Sequence, residues 1–428
     1  MVLSVICLIF FGLALLGMPL VWSLLATTAG TIWIFGRFYP LKAVFLTFID
    51  GVQPLHLAAI PLFVLAGNLI SHGGVGRRLI ELARSILGFL PGGLGVVTVS
   101  SCTMFGAISG SAIADSAAVG SVMIPGMTER GYPRPYSAAL VATAGTLGIL
   151  IPPSIPLLVY GFVGQVSVAE LFIAGIMPGL LFAAALMVWC MIRARQMGVD
   201  LGGEKPRWSV ISKLFITCIP ALLMPLIVLG GIYSGIFTPT ESAAIAVVYG
   251  LLISVFVYRE ITLAALPHII LGSFITSAVV MIVVGATASL AWLITVEQIP
   301  ANLAVAISSL AESKWVFLLL LNIALILIGI FLEPLPALIL TAPLFIPAAK
   351  AFGIDPVHLG LIMTFNLAIG LYTPPVGGTL FVAARIANVG MAAITKELIP
   401  MFGIALVVLM AVTYIEAIPM WLVWLSRG

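Results

Sequence analysis

Long apolar stretches occupy residues 2–17, 20–36, 54–71, 136–164, 172–192, 214–235, 241–257, 267–293, 356–387 and 398–418. A helix needs about 20 mostly apolar residues to cross a bilayer, so the pattern predicts about ten spans. Barrel strands alternate apolar and polar residues over about ten positions, and these runs are longer and continuous. Two further stretches, 92–126 and 315–349, are too long for one straight helix, and each is interrupted near its middle. The first interruption is Gly106–Ser111, and the second runs from Gly329 through Glu333 and Pro334 to Pro336. Each stretch is predicted to form a re-entrant helical hairpin, which survives at membrane depth only when buried in protein or lining a cavity.

The chain repeats itself at an offset of 222 residues. Pro125 matches Pro347, Gly131 matches Gly353, Gly148 matches Gly370, Pro152-Pro153 matches Pro374-Pro375, and Pro178 matches Pro400. Such duplicated halves place a binding site at their interface in many secondary transporters. The predicted first repeat is 1–197, with the hairpin 92–126 and a broken helix 136–164. A polar linker, 198–213, leads to the second repeat, 214–428, with the hairpin 315–349 and a broken helix 356–387. An amphipathic helix is expected at Gly76–Leu87, with an outer counterpart at Asn302–Lys314.

Composition and charge narrow the class. Hydrophobic residues make up 62% of the 428 and charged residues 8%, which excludes a soluble or disordered chain. The net charge of +3 is too small for a nucleic-acid surface. Thirteen Lys and Arg, from Arg77 and Arg130 to Arg385 and Lys396, fall on one side of the predicted spans. Five (Arg37, Lys42, Lys314, Lys350, Arg427) fall on the other. Basic loops mark the cytoplasmic side, so the two halves are expected to be inverted, with both termini outside. The N-terminal stretch lacks a basic n-region and reads as a retained span. The four cysteines have no CxxC spacing and read as packing residues.

The candidate chemistry lies at the breaks. A proline has no N–H and frees the carbonyl four residues before it. Pro152 and Pro153 should free the carbonyls of Gly148 and Ile149, and Pro374 and Pro375 those of Gly370 and Leu371. Bare carbonyls are costly in lipid, and a small hard cation takes oxygen ligands of this kind. Ser154 and Thr373 offer hydroxyls beside them. A kink satisfied by water or a neighbouring helix is the alternative. In the first hairpin, Ser109, Gly110, Ser111 and Asp115 place small residues, hydroxyls and one carboxylate in an apolar setting. An intramembrane ionisable residue is by default a functional candidate, although Asp115 could instead cap a helix. Glu333 is either a ligand or a turn residue before Pro334. Thr143, Thr146, Thr364 and Asn366 suit hydrogen bonds between helices. Thr240–Ser242 suit a helix cap. No GxxxxGK[ST] or HExxH segment is present, so nucleotide hydrolysis and zinc proteolysis are not indicated. A Ser109-His358 protease pair is a remote alternative.

The run GAISGSAIADSAAVGSVMIPGM, with LGILIPPSIPLLVYG, FTPTESAA and LYTPPVGGTLFVAARI, resembles the large membrane subunit of tripartite ATP-independent periplasmic (TRAP) transporters. The resemblance implies an all-α polytopic fold of two inverted repeats and an elevator-type permease, with a scaffold holding a moving domain. It implies one sodium at Ser109, Gly148, Ile151, Pro153 and Ser154, and another at Gly329, Glu333, Gly370, Thr373 and Pro375. Substrate would lie between the tips, at Ser109, Gly110, Ser111, Asp115, Pro334, Gly377 and Gly378. The implied partners are a small four-helix membrane subunit and a periplasmic substrate-binding protein that delivers an acidic solute, a C4-dicarboxylate or a sialic acid. The implied place is the bacterial inner membrane. A stand-alone sodium/carboxylate symporter is the alternative.

Overall fold

The computed structural model describes residues 2–35, 39–202, 206–300, 302 and 313–427, and every regular element among them is helical. The chain opens with α1 (Val2–Leu15), α2 (Leu20–Phe35) and α3 (Lys42–Val52). A 3₁₀ turn, Leu55–Ala58, leads into α4 (Ala59–His72), and α5 (Val75–Leu87) follows. Then come α6 (Gly93–Ser109) and α7 (Ala112–Glu129), the two arms of the first interrupted stretch. Next, α8 (Arg134–Gly145) runs through a 3₁₀ turn, Thr146–Ile149, and the double proline to α9 (Ile155–Gly164). The long α10 (Val168–Met197) follows. The rest of the chain is α11 (Trp208–Tyr233), α12 (Pro239–Leu252), α13 (Leu266–Val296), α14 (Lys314–Phe331), α15 (Pro334–Ala351), α16 (Pro356–Gly370), α17 (Gly378–Ala387), α18 (Met391–Tyr414) and α19 (Ala417–Arg427).

Eight of the described helices are long and apolar enough to cross a membrane. They are six of the expected spans and both arms of the second interrupted stretch. α1 and α2, at 14 and 16 residues, are shorter than the expected spans, and each broken helix is two short pieces. Each arm of the second stretch has 18 residues. That is long enough for most of a hydrocarbon core, so length does not decide re-entry. The sequence offset reappears in the helix bounds. Shifted by 222, α7 falls on α15 at both ends, and α6 and α9 fall within one residue of α14 and α17. Both double prolines contain a cis peptide bond.

The interruptions are narrower than the sequence suggests. The first is only Gly110 and Ser111, because α6 continues through Gly106 to Ser109. The second is only Leu332 and Glu333. Pro334 and Pro336 start α15 instead of interrupting it, because the first turn of a helix has no intrahelical use for its N–H groups. The linker is also shorter. Helix α11 begins at Trp208, and residues 203–205 of the linker lie outside the described residues. The amphipathic helix begins one residue early, at Val75. Most of the expected Asn302–Lys314 helix lies outside the described residues, as does Arg37. Cys102, Cys190 and Cys218 are buried, but Cys7 is exposed.

Packing sorts the helices into two groups. α4 lies against α12, α13 lies against α2, α3 and α4, and α5 lies against α11. The other group interweaves the two halves: α17 lies against α7 and α8, α15 lies against α9, and α10 lies against α16. Gly360 of α16 faces the Tyr160 ring of α9, and the Tyr160 hydroxyl donates to the Pro356 carbonyl at 2.8 Å. The groups meet where α6 touches α4 and α5, and where α13 touches α15. Exposed apolar side chains such as Trp33, Phe45 and Leu226 lie on the first group and suit contact with lipid.

Polar ties hold the interwoven group at its rims. Asp200 accepts from the Leu94 N–H at 2.8 Å and from the Tyr132 hydroxyl at 3.1 Å, which fixes the start of α6. Burial and the Asp200 carboxylate hold the Tyr132 hydroxyl protonated well above its ordinary range. Lys314, at the start of α14, pairs with Glu416 at 3.1 Å. Arg427 binds Glu170 through two nitrogens at 3.0 and 2.8 Å and Asp355 at 2.9 Å, joining α19 to the first turns of α10 and α16. The paired Arg–carboxylate geometry lifts this tie above an ordinary surface pair, to about 1 kcal/mol. Arg427→Ala should lower the thermal midpoint in detergent by roughly 1–2 °C. The gap between variant and parent should narrow in 1 M salt, and an equal gap at both salt levels would show that charge is not its origin.

Candidate functional site

The site begins with two glycines. A Cβ on Gly106 of α6 would lie 2.6 Å from the Gly148 Cα, so the hairpin and the broken helix cross backbone to backbone. Gly110 has φ of 64°, where its missing Cβ lets the turn lie against the Pro153 carbonyl. Ser111 then caps α7, its hydroxyl accepting from the Ala114 N–H at 3.4 Å. The Ser111 N–H donates to Ser109 Oγ at 3.1 Å, and Ser109 Oγ donates to Asp115 Oδ1. Asp115 is fully buried, and its Oδ2 has no hydrogen-bond partner in the structure. That oxygen faces the crossing, because a Cβ on Gly148 would overlap it. Asp115 is therefore not the helix cap. It sits one turn inside α7 and presents an unpaired carboxylate oxygen to the broken helix.

The freed carbonyls are less bare than the proline positions predict. The Ile149 carbonyl accepts from Ser154 Oγ at 2.6 Å, and Ser154 also caps α9. The Gly370 carbonyl accepts from the Thr373 N–H at 3.1 Å. The Leu371 carbonyl accepts from the Thr379 N–H at 3.0 Å and from Thr379 Oγ1 at 2.9 Å. Thr373 Oγ1 donates to Ile369 at 2.7 Å. Nearby hydroxyls and backbone N–H groups thus close three of the four vacancies that the prolines open, through local contacts that regular helical spacing does not show. Hydroxyl oxygens that donate their protons in this way still have lone pairs to offer.

At the second break Gly370 packs against Gly329 so closely that a Cβ on it would overlap the Gly329 backbone. Glu333 precedes α15, makes no capping hydrogen bond and is exposed, so it is not buried as Asp115 is. Pro334 is buried behind it. Gly377 precedes α17, and a Cβ on Gly378 would lie 3.3 Å from Ile113 of α7, so the first tip overlies the second break. Ile151 is nearly buried and packs on Gly179 of α10. Structure therefore gathers Ser109, Gly110, Ser111, Asp115, Gly148, Pro153 and Ser154 at one crossing, and Gly329, Gly370 and Thr373 at the other. Asn366 makes the bond between helices expected of it, but its partners Asn322 and Thr413 were not anticipated. Asn366 donates to Asn322 at 2.6 Å, and Asn322 donates to Thr413 at 3.2 Å, which ties α16 to α14 and α18. Asn322 alone in an apolar run was the available signal. Thr364 and Thr143 have unpartnered hydroxyls, and Thr146 bonds only within its own segment, to the Thr143 carbonyl. The cap of α12 is Thr238, boxed with Glu241, and not Thr240. His358 bonds the Val412 carbonyl, and Ser109 is held by Asp115, so the two are committed to different partners.

Residues 7–418 match the DctM component of the tripartite ATP-independent periplasmic transporters. The chain belongs to that family. It is a multi-pass membrane permease, not an enzyme. This DctM-family chain is 44% identical to the C4-dicarboxylate TRAP transporter large permease protein DctM of Pseudomonas aeruginosa, over 86% of each chain. It is 42% identical to the isethionate TRAP transporter permease protein DctMQ of Oleidesulfovibrio alaskensis, over 86% of this chain and 58% of that protein. It thus spans less than two thirds of that relative's length. Its fold is similar to the YdaH transporter of Alcanivorax borkumensis, with a TM-score of 0.63 over 90% of this chain and 89% of that one, at 16% identity.

The glycine crossings set a steric test. Gly370→Val would force the Gly329 backbone away, and overpacking of this kind costs about 1–3 kcal/mol. Transport should fall roughly tenfold or more while the chain still inserts, measured as uptake per folded protein against gel-filtration yield. Wild-type uptake by this variant would mean that the crossing is not needed.

Proposed function

We propose that this chain performs sodium-coupled secondary active uptake of an acidic solute, a C4-dicarboxylate or a sialic acid, across the bacterial inner membrane. It works with a small four-helix membrane subunit and a periplasmic substrate-binding protein that delivers the solute. The two halves are inverted repeats, each with a re-entrant hairpin and a broken helix. The interwoven helices move as an elevator against the framework of α1–α5 and α11–α13.

The observation that carries this reading is the buried Asp115 carboxylate, with one oxygen held by Ser109 and the other unpaired over Gly148. An uncompensated carboxylate is costly inside a membrane protein, and a monovalent cation or a proton relieves the cost. Ser109, Asp115 and the Gly148 main chain would hold a sodium ion, with Ile151, Pro153 and Ser154 shaping the floor. The second crossing supports its ion less strongly, because the Gly370 and Leu371 carbonyls already have donors. Its remaining oxygens are Thr373 Oγ1 and the exposed Glu333 carboxylate, with Gly329 and Pro375 as backbone contributors. Substrate would lie between Ser109–Ser111 and Pro334 on one side and Gly377–Gly378 on the other. An ion that compensates Asp115 holds the Ser109–Ser111 tip in one shape. Ion and solute affinities are then linked, and a sodium gradient drives uptake. The division into two packing groups supports an elevator, and relatives named for C4-dicarboxylate and isethionate transport support an acidic cargo.

In proteoliposomes holding this chain, the small subunit and the binding protein, uptake should require an inward sodium gradient. Equal uptake under a proton gradient without sodium would refute the coupling. Uptake without the binding protein would favour the stand-alone symporter. Asp115→Ala and Ser111→Ala should each cut sodium-driven uptake by about 10- to 100-fold, the range for losing a hydrogen-bonded charged partner. Half-maximal sodium should rise in Asp115→Ala, and an unchanged sodium requirement would remove Asp115 from the ion site.

A further inference from the structure

We infer that Arg385, at the inner end of α17, is a cationic subsite that receives the solute's acid group on its way from the second break to the basic side of the membrane. The inference rests on the transport reading above and adds a site to it.

Gly378, Phe381, Arg385 and Asn388 follow one another at helical spacing, so they share one face of α17. Phe381 is 49% exposed, and Arg385 and Asn388 are also exposed. The other face, with Leu380, Ala383 and Ala387, is buried. This open face begins beside the first hairpin tip, where Gly378 meets Ile113. It ends in a concavity of about 510 Å³ lined by Phe381, Ala384, Arg385, Asn388, Val389 and Gly390. Cavities of a few hundred Å³ are the size that holds small ligands. Helix α7 runs alongside, with Ile386 of α17 against Gly120, and exposes the small residues Ala117 and Ser121. The exposed face of α17 thus runs about 10 Å from Gly378 to Arg385, at 1.5 Å per residue.

Its chemistry suits an acid. Neither the first hairpin turn nor either double-proline break carries a basic residue, so an anion bound there meets only dipoles and hydroxyls. Arg385 is the first cation along the α17 face. Among the described residues its guanidinium takes part in no ion pair, so its donors are uncommitted. A guanidinium offers a planar fork that fits a carboxylate or sulfonate through two hydrogen bonds. The corresponding turn after α9 also lines a concavity, but with Gly161, Phe162 and Gln165 and no Lys or Arg. The two ends of the path therefore differ in charge.

The test is counterflow in proteoliposomes of the full complex. The probe is whichever of succinate, isethionate and N-acetylneuraminate the unaltered complex takes up. Arg385→Gln should raise the internal concentration for half-maximal exchange about tenfold and leave the external and sodium half-saturations within twofold. Arg385→Lys should recover part of the loss, and Arg130→Gln, which removes an exposed arginine at the same rim, should behave as the parent. Should Arg385→Gln fold poorly, Arg385→Cys in a Cys7→Ser background answers the same question. Modification with an aminoethyl thiosulfonate should restore internal affinity, and a sulfonatoethyl reagent should not. An unchanged internal half-saturation, equal rises on both sides, an equal effect of Arg130→Gln, or equal effects of the two reagents would overturn the subsite. Uptake of none of the three acids by the unaltered complex would instead overturn the transport reading beneath it.

Discussion

A single buried carboxylate constrains the middle of this protein. Asp115 lies buried at the point where α6 and the first broken helix cross through Gly106 and Gly148. The crossing is possible only because neither residue has a side chain. The same closeness leaves one oxygen of Asp115 facing the Gly148 backbone without a hydrogen-bond partner. Ser109 Oγ donates to the other oxygen and accepts from the Ser111 N–H. The hairpin turn is thus built around a buried carboxyl group that its hydrogen bonds satisfy at one oxygen only.

The surrounding packing ties that turn to the other half of the chain. The first tip does not lean on its own half alone, because Ile113 reaches Gly378 at the second break and α17 lies between α7 and α8. The second half returns the contact through α15 against α9 and through Tyr160 against Pro356. The two breaks therefore belong to one interwoven body, tied at its rims by Asp200, by Lys314 with Glu416 and by Arg427. The two breaks are joined by packed helices and not by a flexible linker.

Several features were readable from the residues and others were not. The apolar runs, the offset of 222 residues and the two double prolines are local and survive into the helix bounds. Asp115 stood out because a carboxylate in an apolar run has few reasons to be there. The widths of the interruptions were overread, since Gly106 and Gly329 look like helix breakers in isolation and are helical contact points in the fold. The carbonyls were overread as well. Ser154 reaches back five residues and Thr379 eight, and neither reach follows from helical spacing.

The sequence by itself determined that this chain is a helical membrane protein with paired breaks and one misplaced carboxylate, because hydrophobicity and proline act along the chain. Tertiary structure decided which polar atoms remain unpaired, since that depends on which other helices pack beside them. It joined Asn322 to Asn366 and left Asp115 half satisfied. It also turned the face of α17 that carries Arg385 outward, because burial of a helix face is settled by the helices packed against it.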